Sequence, residues 1–357
     1  MKTSERVIFV TGFPGFIAGR LVESLAADDV RFYLLVQQAL IDTAMRSVEK
    51  IAERSGVMLE NFAIVEGDIT KSDLGINAED LSTIRVEVTD VFHLAAVYDL
   101  AVAKDLADSV NVRGTQNVND FVRSLPGLHR YNYISTCYVA GRRTGHILET
   151  DSQHDAGFRN HYEETKYIAE LSVEKLKSDI PVTIFRPAVV VGDSRTGETA
   201  KYDGIYYLIH YLRKAPNLLR LLNVGNKQVR LNLVPVDFVV KAIAALSDDE
   251  AAVGKTIALA DPDPLATSDI FDSITKDLCG KSSALVLPES VTERMLMLPF
   301  SPPISGLPHS AVPYFFLPQT YDTSIADELL AKHRIECPSF TDYVSNLLDF
   351  VDRHPKL

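Results

Sequence analysis

The sequence predicts an α/β fold, a doubly wound parallel sheet joined to a smaller, irregular C-terminal substrate-binding domain. Three observations predict it. Apolar, β-branched runs alternate with helix-periodic segments through residue 185. A glycine-rich turn, GFPG at 12–15, joins the first such run to the first helical segment. Beyond residue 186 the alternation breaks down, and most of the prolines lie from residue 262 onward. Parallel strands need long crossovers, and a crossover helix covers a sheet face, so this alternation implies a sheet buried on both sides.

Residues 7–11 are a continuous apolar run, read as a buried strand because a strand covered on both faces has no polar side to show. Helical periodicity follows over 16–27, then a second strand over 32–36. Ile41, Ala44, Met45, Val48, Ile51 and Ala52 recur at three- and four-residue spacing, which makes them one apolar helix face. Strands are expected at 62–65, 91–94 and 131–135, with a helical segment at 104–122 between the last two. The helix carrying Tyr162 and Lys166 precedes a strand at 182–185. Residues 231–246 read as a short strand feeding a helix, and 255–260 as a return to the sheet.

At 357 residues the chain holds one large or two moderate domains. Its formal net charge of -12 repels nucleic acid and anionic membranes, so neither is an expected partner. The cysteines, Cys137, Cys279 and Cys337, are odd in number and form no C-x-x-C. That pattern suits a reducing compartment, and the cytoplasm is the expected location. The N-terminus runs almost directly into a strand without a signal-peptide apolar segment, and no run of about 18 apolar residues exists to span a membrane. None of the nine histidines shows metal-ligand spacing, so no metal is expected.

The glycine turn carries the first chemistry. Gly12 allows a tight turn, Gly15 lets backbone approach a pyrophosphate, and Ala18 is small enough for close helix–strand packing. The N–H groups near Phe16 and Ile17 then open a helix and offer donors to phosphate, Pro14 having none to give. The alternative is a strand-to-helix turn with no ligand. On the dinucleotide reading, residues 1–186 with about 231–262 form a Rossmann-type domain, and 187–230 with 263–357 form the substrate-binding cap. The second strand ends in Gln37 and Gln38, without the acid that would hold a ribose 2′-hydroxyl. This favours NADP(H) over NAD(H). Arg20 and Arg46 are the nearest basic residues for a 2′-phosphate, or else exposed helix residues.

Further motifs follow in a fixed order: T-G-x-x-G-x-x-A at 11–18, GDI at 67–69, HLAA at 93–96, Asn111, YISTCYVAG at 133–141, YEETK at 162–166 and FRPAVVVGDSRTGET at 185–199. Together they resemble the extended short-chain dehydrogenases/reductases. The resemblance implies that Asp68 and Ile69 contact adenine, that Leu94, Ala95 and Ala96 lie along the cofactor, and that Pro187 and Val190 flank the nicotinamide. It also implies a catalytic set of Thr136, Tyr162 and Lys166, with Lys166 on the nicotinamide ribose as well.

The residue types suit that chemistry. Reducing a carbonyl leaves an alkoxide that needs a proton, and a phenol has an ordinary pKa of about 10. Lys166, one helical turn from Tyr162, is expected to draw that phenol toward neutral, and Thr136 to stabilise the substrate oxygen. A Tyr/Lys pair at this spacing is also ordinary on a solvated helix face, where Glu163, Glu164, Glu170 and Glu174 would be surface partners. Strand alternation turns Ser135 away from the site. Cys137 reads as a small core residue beside the site and His93 as a packed strand-end residue.

HLAAVYDLAV, YISTCYVAG and VVVGDSRTGET look closest to the male-sterility-like branch, which includes fatty acyl-CoA reductases and thioester-reductase domains. The branch implies reduction of an acyl thioester or aldehyde, a small-molecule substrate that arrives as a thioester-linked acyl group in some members. Nucleotide-sugar dehydratases carry acids after the catalytic threonine, where Cys137 and Tyr138 stand here, and epimerases commonly end the second strand in an acid. Tyr98, Asp99, Cys137, Asp193, Arg195 and the loop to Tyr202 are candidates to meet substrate. The apolar stretch 295–318 reads as the wall of a substrate tunnel, or as packing of the cap or of a homodimer interface. A nucleotide-sugar epimerase or dehydratase and a non-catalytic NADP-binding sensor are the alternative functions.

Overall fold

The computed structural model describes residues 6–299 and 307–356. Seven parallel strands form the central sheet: β1 (Arg6–Thr11), β2 (Val30–Val36), β3 (Phe62–Glu66), β4 (Asp90–His93), β5 (Arg130–Ile134), β7 (Val182–Pro187) and β11 (Thr256–Leu259). Between β5 and β7 lies the short β6 (Gly145–Ile147), outside that sheet. The order β11-β7-β5-β4-β1-β2-β3 reverses between β1 and β4. At such a reversal the loops leave the strands in opposite directions and open a crevice beyond their carboxyl ends.

Alternation along β1 explains the two layers. Ile8 and Val10 join a core with helices Phe16–Leu25, Ile41–Ser55 and Val236–Ser247, while Val7 and Phe9 join a core with Thr115–Arg123 and His161–Glu174. All four side chains are buried, as a doubly covered strand requires. On the helix Ile41–Ser55, Ala44, Val48, Ile51 and Ala52 turn inward. Met45, expected on that face, is instead half exposed, because it lies at the edge of the apolar stripe.

Two elements depart from the sequence expectation. The helix Ala78–Glu87 was not foreseen, since only Leu81 and Ile84 among its ten residues are buried and they make no clear stripe. The stretch expected as one helix over 104–122 contains a π-helical segment, Asp108–Gly114. That extra residue per turn aims Asn111 at its neighbours: Asn111 pairs with the backbone of Val97 through both amide groups, at 2.9 and 3.0 Å, and donates to Thr165 Oγ1 at 3.0 Å.

Short strand pairs tie the rest together. β8 (Val189–Val191) pairs with β10 (Leu233–Pro235), β9 (Leu222–Asn223) with β12 (Leu285–Val286), and β6 with β13 (Gln319–Tyr321). Helices Ile205–Arg213, Thr267–Cys279 and Phe340–Arg353 share a separate apolar core built on Ile209, Phe271 and Leu347. The helix Ser324–Lys332, far along the chain, returns Ala326, Leu329 and Leu330 to the core of the main sheet. Among the described residues no helix is long and apolar enough to cross a membrane.

Candidate active site

The crevice at the strand reversal is floored by backbone. Gly12 has φ +91°, and a Cβ there would lie 2.7 Å from Ala95 N and 2.9 Å from Leu94 C. A Cβ on Gly15 would lie 2.7 Å from Gly12 O. Both positions therefore exclude a side chain, and the turn packs directly on the loop after β4. Gly15 is also the N-cap of Phe16–Leu25 and has no side chain to satisfy the first-turn N–H groups. Those donors, including Phe16 and Ile17, and the positive helix end fit the pyrophosphate of a dinucleotide.

Most of the other expected cofactor positions lie at or just beyond the carboxyl ends of the sheet strands. Leu94, Ala95 and Ala96 follow β4 and are half-buried, Gln37 follows β2 and is exposed, and Ile69 is buried beyond β3. Asp68 Oδ1 accepts from Thr70 N and Thr70 Oγ1, at 2.9 and 2.8 Å. Pro187 ends β7 and Val190 lies in β8. Arg20 is engaged elsewhere, in ion pairs with Asp193 at 3.0 Å and Glu198 at 2.7 Å. Arg46 is exposed and donates to Thr43 Oγ1.

Thr136 leaves the end of β5, and Tyr162 sits in the first turn of His161–Glu174, whose N-cap Asn160 accepts from Glu163 N at 3.0 Å. The two hydroxyls are hydrogen-bonded. Burial, aided by the Glu163 carboxylate, pushes the Tyr162 phenol up to about 12 against the opposing pull of Thr136. Lys166 is buried beneath them. Its Nζ donates to Tyr133 Oη at 3.0 Å and to Ile134 O at 2.8 Å, and lies 4.5 Å from the Tyr133 ring centre. Burial lowers its ammonium to about 7, with Glu170 opposing. The expectation that Lys166 draws Tyr162 toward neutral is not met. The lysine is turned to β5, and desolvation governs both groups.

The acids of this helix also differ from expectation. Glu163 and Glu170 are buried, at 0% and 1% exposure, rather than solvated. Glu163 accepts from Arg159 N at 2.9 Å, pairs with the Arg159 guanidinium at 3.2 Å and accepts a further hydrogen bond from the Tyr314 hydroxyl. Glu170 pairs with Arg186 of β7 at 2.7 Å. Glu164 and Glu174 remain partly exposed. Neither buried carboxylate is isolated, as the cost of burying a bare charge requires.

On the substrate side, Tyr98 is 57% exposed beside Tyr162, and Lys201 Nζ lies 5.1 Å from its ring centre. The Tyr138 and Tyr314 rings meet at 4.6 Å. Asp99 and Arg195 are exposed. Asp193 is buried and closes its own turn, accepting from the backbone of Arg195 and Thr196 at 2.9 and 3.1 Å in addition to its pair with Arg20. The Cys137 thiol is buried, directed at Arg186 O, and pushed well up by desolvation, which denies it nucleophilic character. Ser135 Oγ is buried with no hydrogen-bond partner among the described residues. Of the apolar stretch 295–318, residues 300–306 lie outside the described residues. Leu307, Val312 and Phe316 pack with Tyr207 over the start of the helix that bears Tyr162. Among the described residues no group of three His, Cys, Asp or Glu side chains could hold a metal ion.

Tyr133 lies outside the site the sequence predicts, whereas Lys201 belongs to the candidate loop to Tyr202 and Tyr314 to the apolar stretch 295–318. Tyr133 lies two residues before Ser135 on a strand buried on both faces, so its polarity was the signal available. Lys201 lies in a loop and Tyr314 in the short 3₁₀ helix Val312–Phe316, and local periodicity encodes the placement of neither.

Comparison with known proteins bears on this arrangement. The male sterility protein family model matches residues 10–243. Fatty acyl-CoA reductase wat of Drosophila melanogaster is 24% identical over 287 residues, covering 70% of this chain and 56% of that protein. The chain spans about half the length of the first curated relatives it matches. The terminal R domain from the myxalamid PKS-NRPS biosynthetic pathway superposes with a TM-score of 0.83 at 22% identity, over 100% of this chain and 93% of that one. UDP-glucuronic acid 4-epimerase from Bacillus cereus, in complex with NAD, gives 0.67 at 19% identity over 98% of this chain and 100% of that one. At these identities the structural likeness is one of fold.

Proposed function

This chain belongs to the male sterility protein family, and on that premise we propose that it is an NADPH-dependent reductase of an acyl thioester or aldehyde with an apolar chain. The observation that carries the reading is the Thr136–Tyr162 hydroxyl pair at the nucleotide crevice, with Tyr162 held protonated. In this reading Gly12, Gly15, Phe16 and Ile17 take the pyrophosphate, Gln37, Asp68 and Ile69 the adenosine end, and Leu94 to Ala96, Pro187, Val190 and Lys166 the nicotinamide end. The nicotinamide, when bound, supplies the hydride.

The chain's own residues handle the oxygen. Thr136 donates to the carbonyl oxygen, and Tyr162 delivers the proton as charge develops there. A phenol at about 12 is protonated throughout the neutral range, which suits a proton donor working in the reducing direction. The aromatic rim of Tyr98, Tyr138 and Tyr314 suits an apolar acyl chain. The lack of an acid after β2 favours NADPH over NADH. Relatives named as fatty acyl-CoA reductases support the substrate class.

Cofactor oxidation with acyl-CoAs, aldehydes, ketones and nucleotide sugars, comparing NADPH with NADH, tests this. Turnover confined to nucleotide sugars would sink it. Tyr162→Phe is expected to lower kcat by about 10²–10⁴-fold while NADPH affinity stays within a factor of about two; unchanged turnover would remove Tyr162 from the reaction.

A further inference from the structure

Lys166 is a buried cation, and a buried cation needs acceptors. Among the described residues its hydrogen-bond acceptors are Tyr133 Oη and Ile134 O, so β5 occupies two of its three N–H groups. Ile134 O is backbone and comes with any sequence. The Tyr133 hydroxyl does not, because phenylalanine would fill the same core position without the cost of burying an O–H.

That hydroxyl opens a longer chain. Tyr133 Oη is hydrogen-bonded to Thr115. Thr115 Oγ1 lies 3.0 Å from His93 Nε2, and His93 Nδ1 lies 2.7 Å from Thr11 Oγ1. Thr11 Oγ1 accepts from Ala95 N at 3.1 Å. Thr11, His93, Thr115 and Tyr133 are each no more than 1% exposed. The His93 and Tyr133 rings also touch, with centroids 5.5 Å apart. Burial and the nearby Lys166 charge hold His93 down at about 3, so it is neutral and uses one nitrogen as donor and the other as acceptor. The chain thus runs from the active-site lysine through Tyr133 on β5, Thr115 on the helix Thr115–Arg123 and His93 on β4 to Thr11 on β1. Its far end is the residue before Gly12 and the loop against which Gly12 packs.

We propose that Tyr133 is the positioning residue of Lys166, and that the buried chain Tyr133–Thr115–His93–Thr11 ties the lysine to the glycine turn so that the two ends of the nucleotide site are held in one register. The proposal rests on the reading of Lys166 as the lysine that meets the nicotinamide end. The ionisable groups facing its ammonium are Tyr133 and His93 from the sheet and Glu170 from its own helix, with Arg186 paired behind Glu170.

Three variants, Tyr133→Phe, Thr115→Val and the double variant, test it. The Lys166 side chain is titrated by NMR in lysine-labelled protein without substrate, its signal identified by loss in Lys166→Met. Tyr133→Phe removes an acceptor from the charged form, so the midpoint is expected to move to lower pH by about one unit. NADPH Kd is expected to rise about tenfold in Tyr133→Phe, less in Thr115→Val, and no further in the double variant, since both cut one chain. In the reductase assay kcat falls and the acyl-substrate KM stays. An unmoved titration, or additive losses in NADPH affinity, would overturn the proposal, as would a lower kcat accompanied only by a lower Tm. If Tyr133→Phe does not fold, Thr115→Val decides: wild-type titration and NADPH Kd in that variant overturn the chain. Should the wild type reduce no substrate, the reductase reading fails while the titration still decides the role of Tyr133.

Discussion

The side chains of the helix His161–Glu174 divide by what they meet. Tyr162 reaches Thr136 at the crevice, Lys166 points into the sheet, and Glu163 and Glu170 are buried in ion pairs on either side. The Glu170–Arg186 pair makes a sharp prediction. Arg186 is 4% exposed and also donates to Glu149 O and Asp151 O, so it cannot turn to water when its carboxylate is removed. Glu170→Ala is expected to cost about 3–5 kcal/mol, the usual penalty for breaking a buried pair from one side, measured by urea unfolding. A loss below about 1 kcal/mol would mean that the pair behaves as a solvated one.

At the scale of elements, the caps decide where the reactive groups stand. The glycine turn opens Phe16–Leu25 without a capping side chain, which leaves its donors for an anion. The helix His161–Glu174 is the opposite case. Asn160 accepts from Glu163 N, and its amide donates to Tyr314 Oη at 2.7 Å, so one residue fixes both the start of the helix and the segment lying on it. Tyr162 lies two residues after that cap. Asn160→Ala is expected to lower stability by about 1 kcal/mol and to reduce kcat more than KM, because Tyr162 loses its fixed approach. Equal kcat in variant and wild type, with stability lowered, would confine Asn160 to a structural role. The glycine turn and the helix face of Ala44, Val48 and Ile51 were legible in sequence, because each is a local pattern. The π-helical turn at Asn111 was not, because the partners of Asn111, Val97 and Thr165, lie 14 and 54 residues away in the chain.

At the scale of the whole molecule, Glu149 joins segments that lie 109 and 176 residues away along the chain. It is 2% exposed and accepts from Ala258 N on β11 and from Ile325 N and Ala326 N at the start of Ser324–Lys332, at 2.7, 2.6 and 3.2 Å. Burial nonetheless raises its carboxyl to about 7 from its ordinary 4.5, against the pull of those three donors. Between these values the folded protein keeps a proton that the unfolded chain has released. This contribution to stability is therefore complete below pH 4.5 and is lost as pH rises through 7. From pH 5 to pH 8 the loss is expected to be about 1–3 kcal/mol. Denaturation midpoints across that range should fall more steeply for wild type than for Glu149→Gln; parallel curves would refute the assignment.

Read alone, the sequence is enough to show the alternation of strand and helix, the turn that only glycine tolerates at residue 12, and the residue types of the proposed catalytic set. These are short-range features, encoded within a few residues of each other by backbone sterics, side-chain period and intrinsic acidity. Which groups are dry and which groups touch follows from the packed fold alone. Glu163 looks solvated in its own helix and is buried by Tyr314, 151 residues away. Lys166 looks like the partner of Tyr162 and is held instead by Tyr133, which arrives from a neighbouring strand. Desolvation and hydrogen-bond geometry depend on every atom within a few ångströms, and those atoms come from distant parts of the chain.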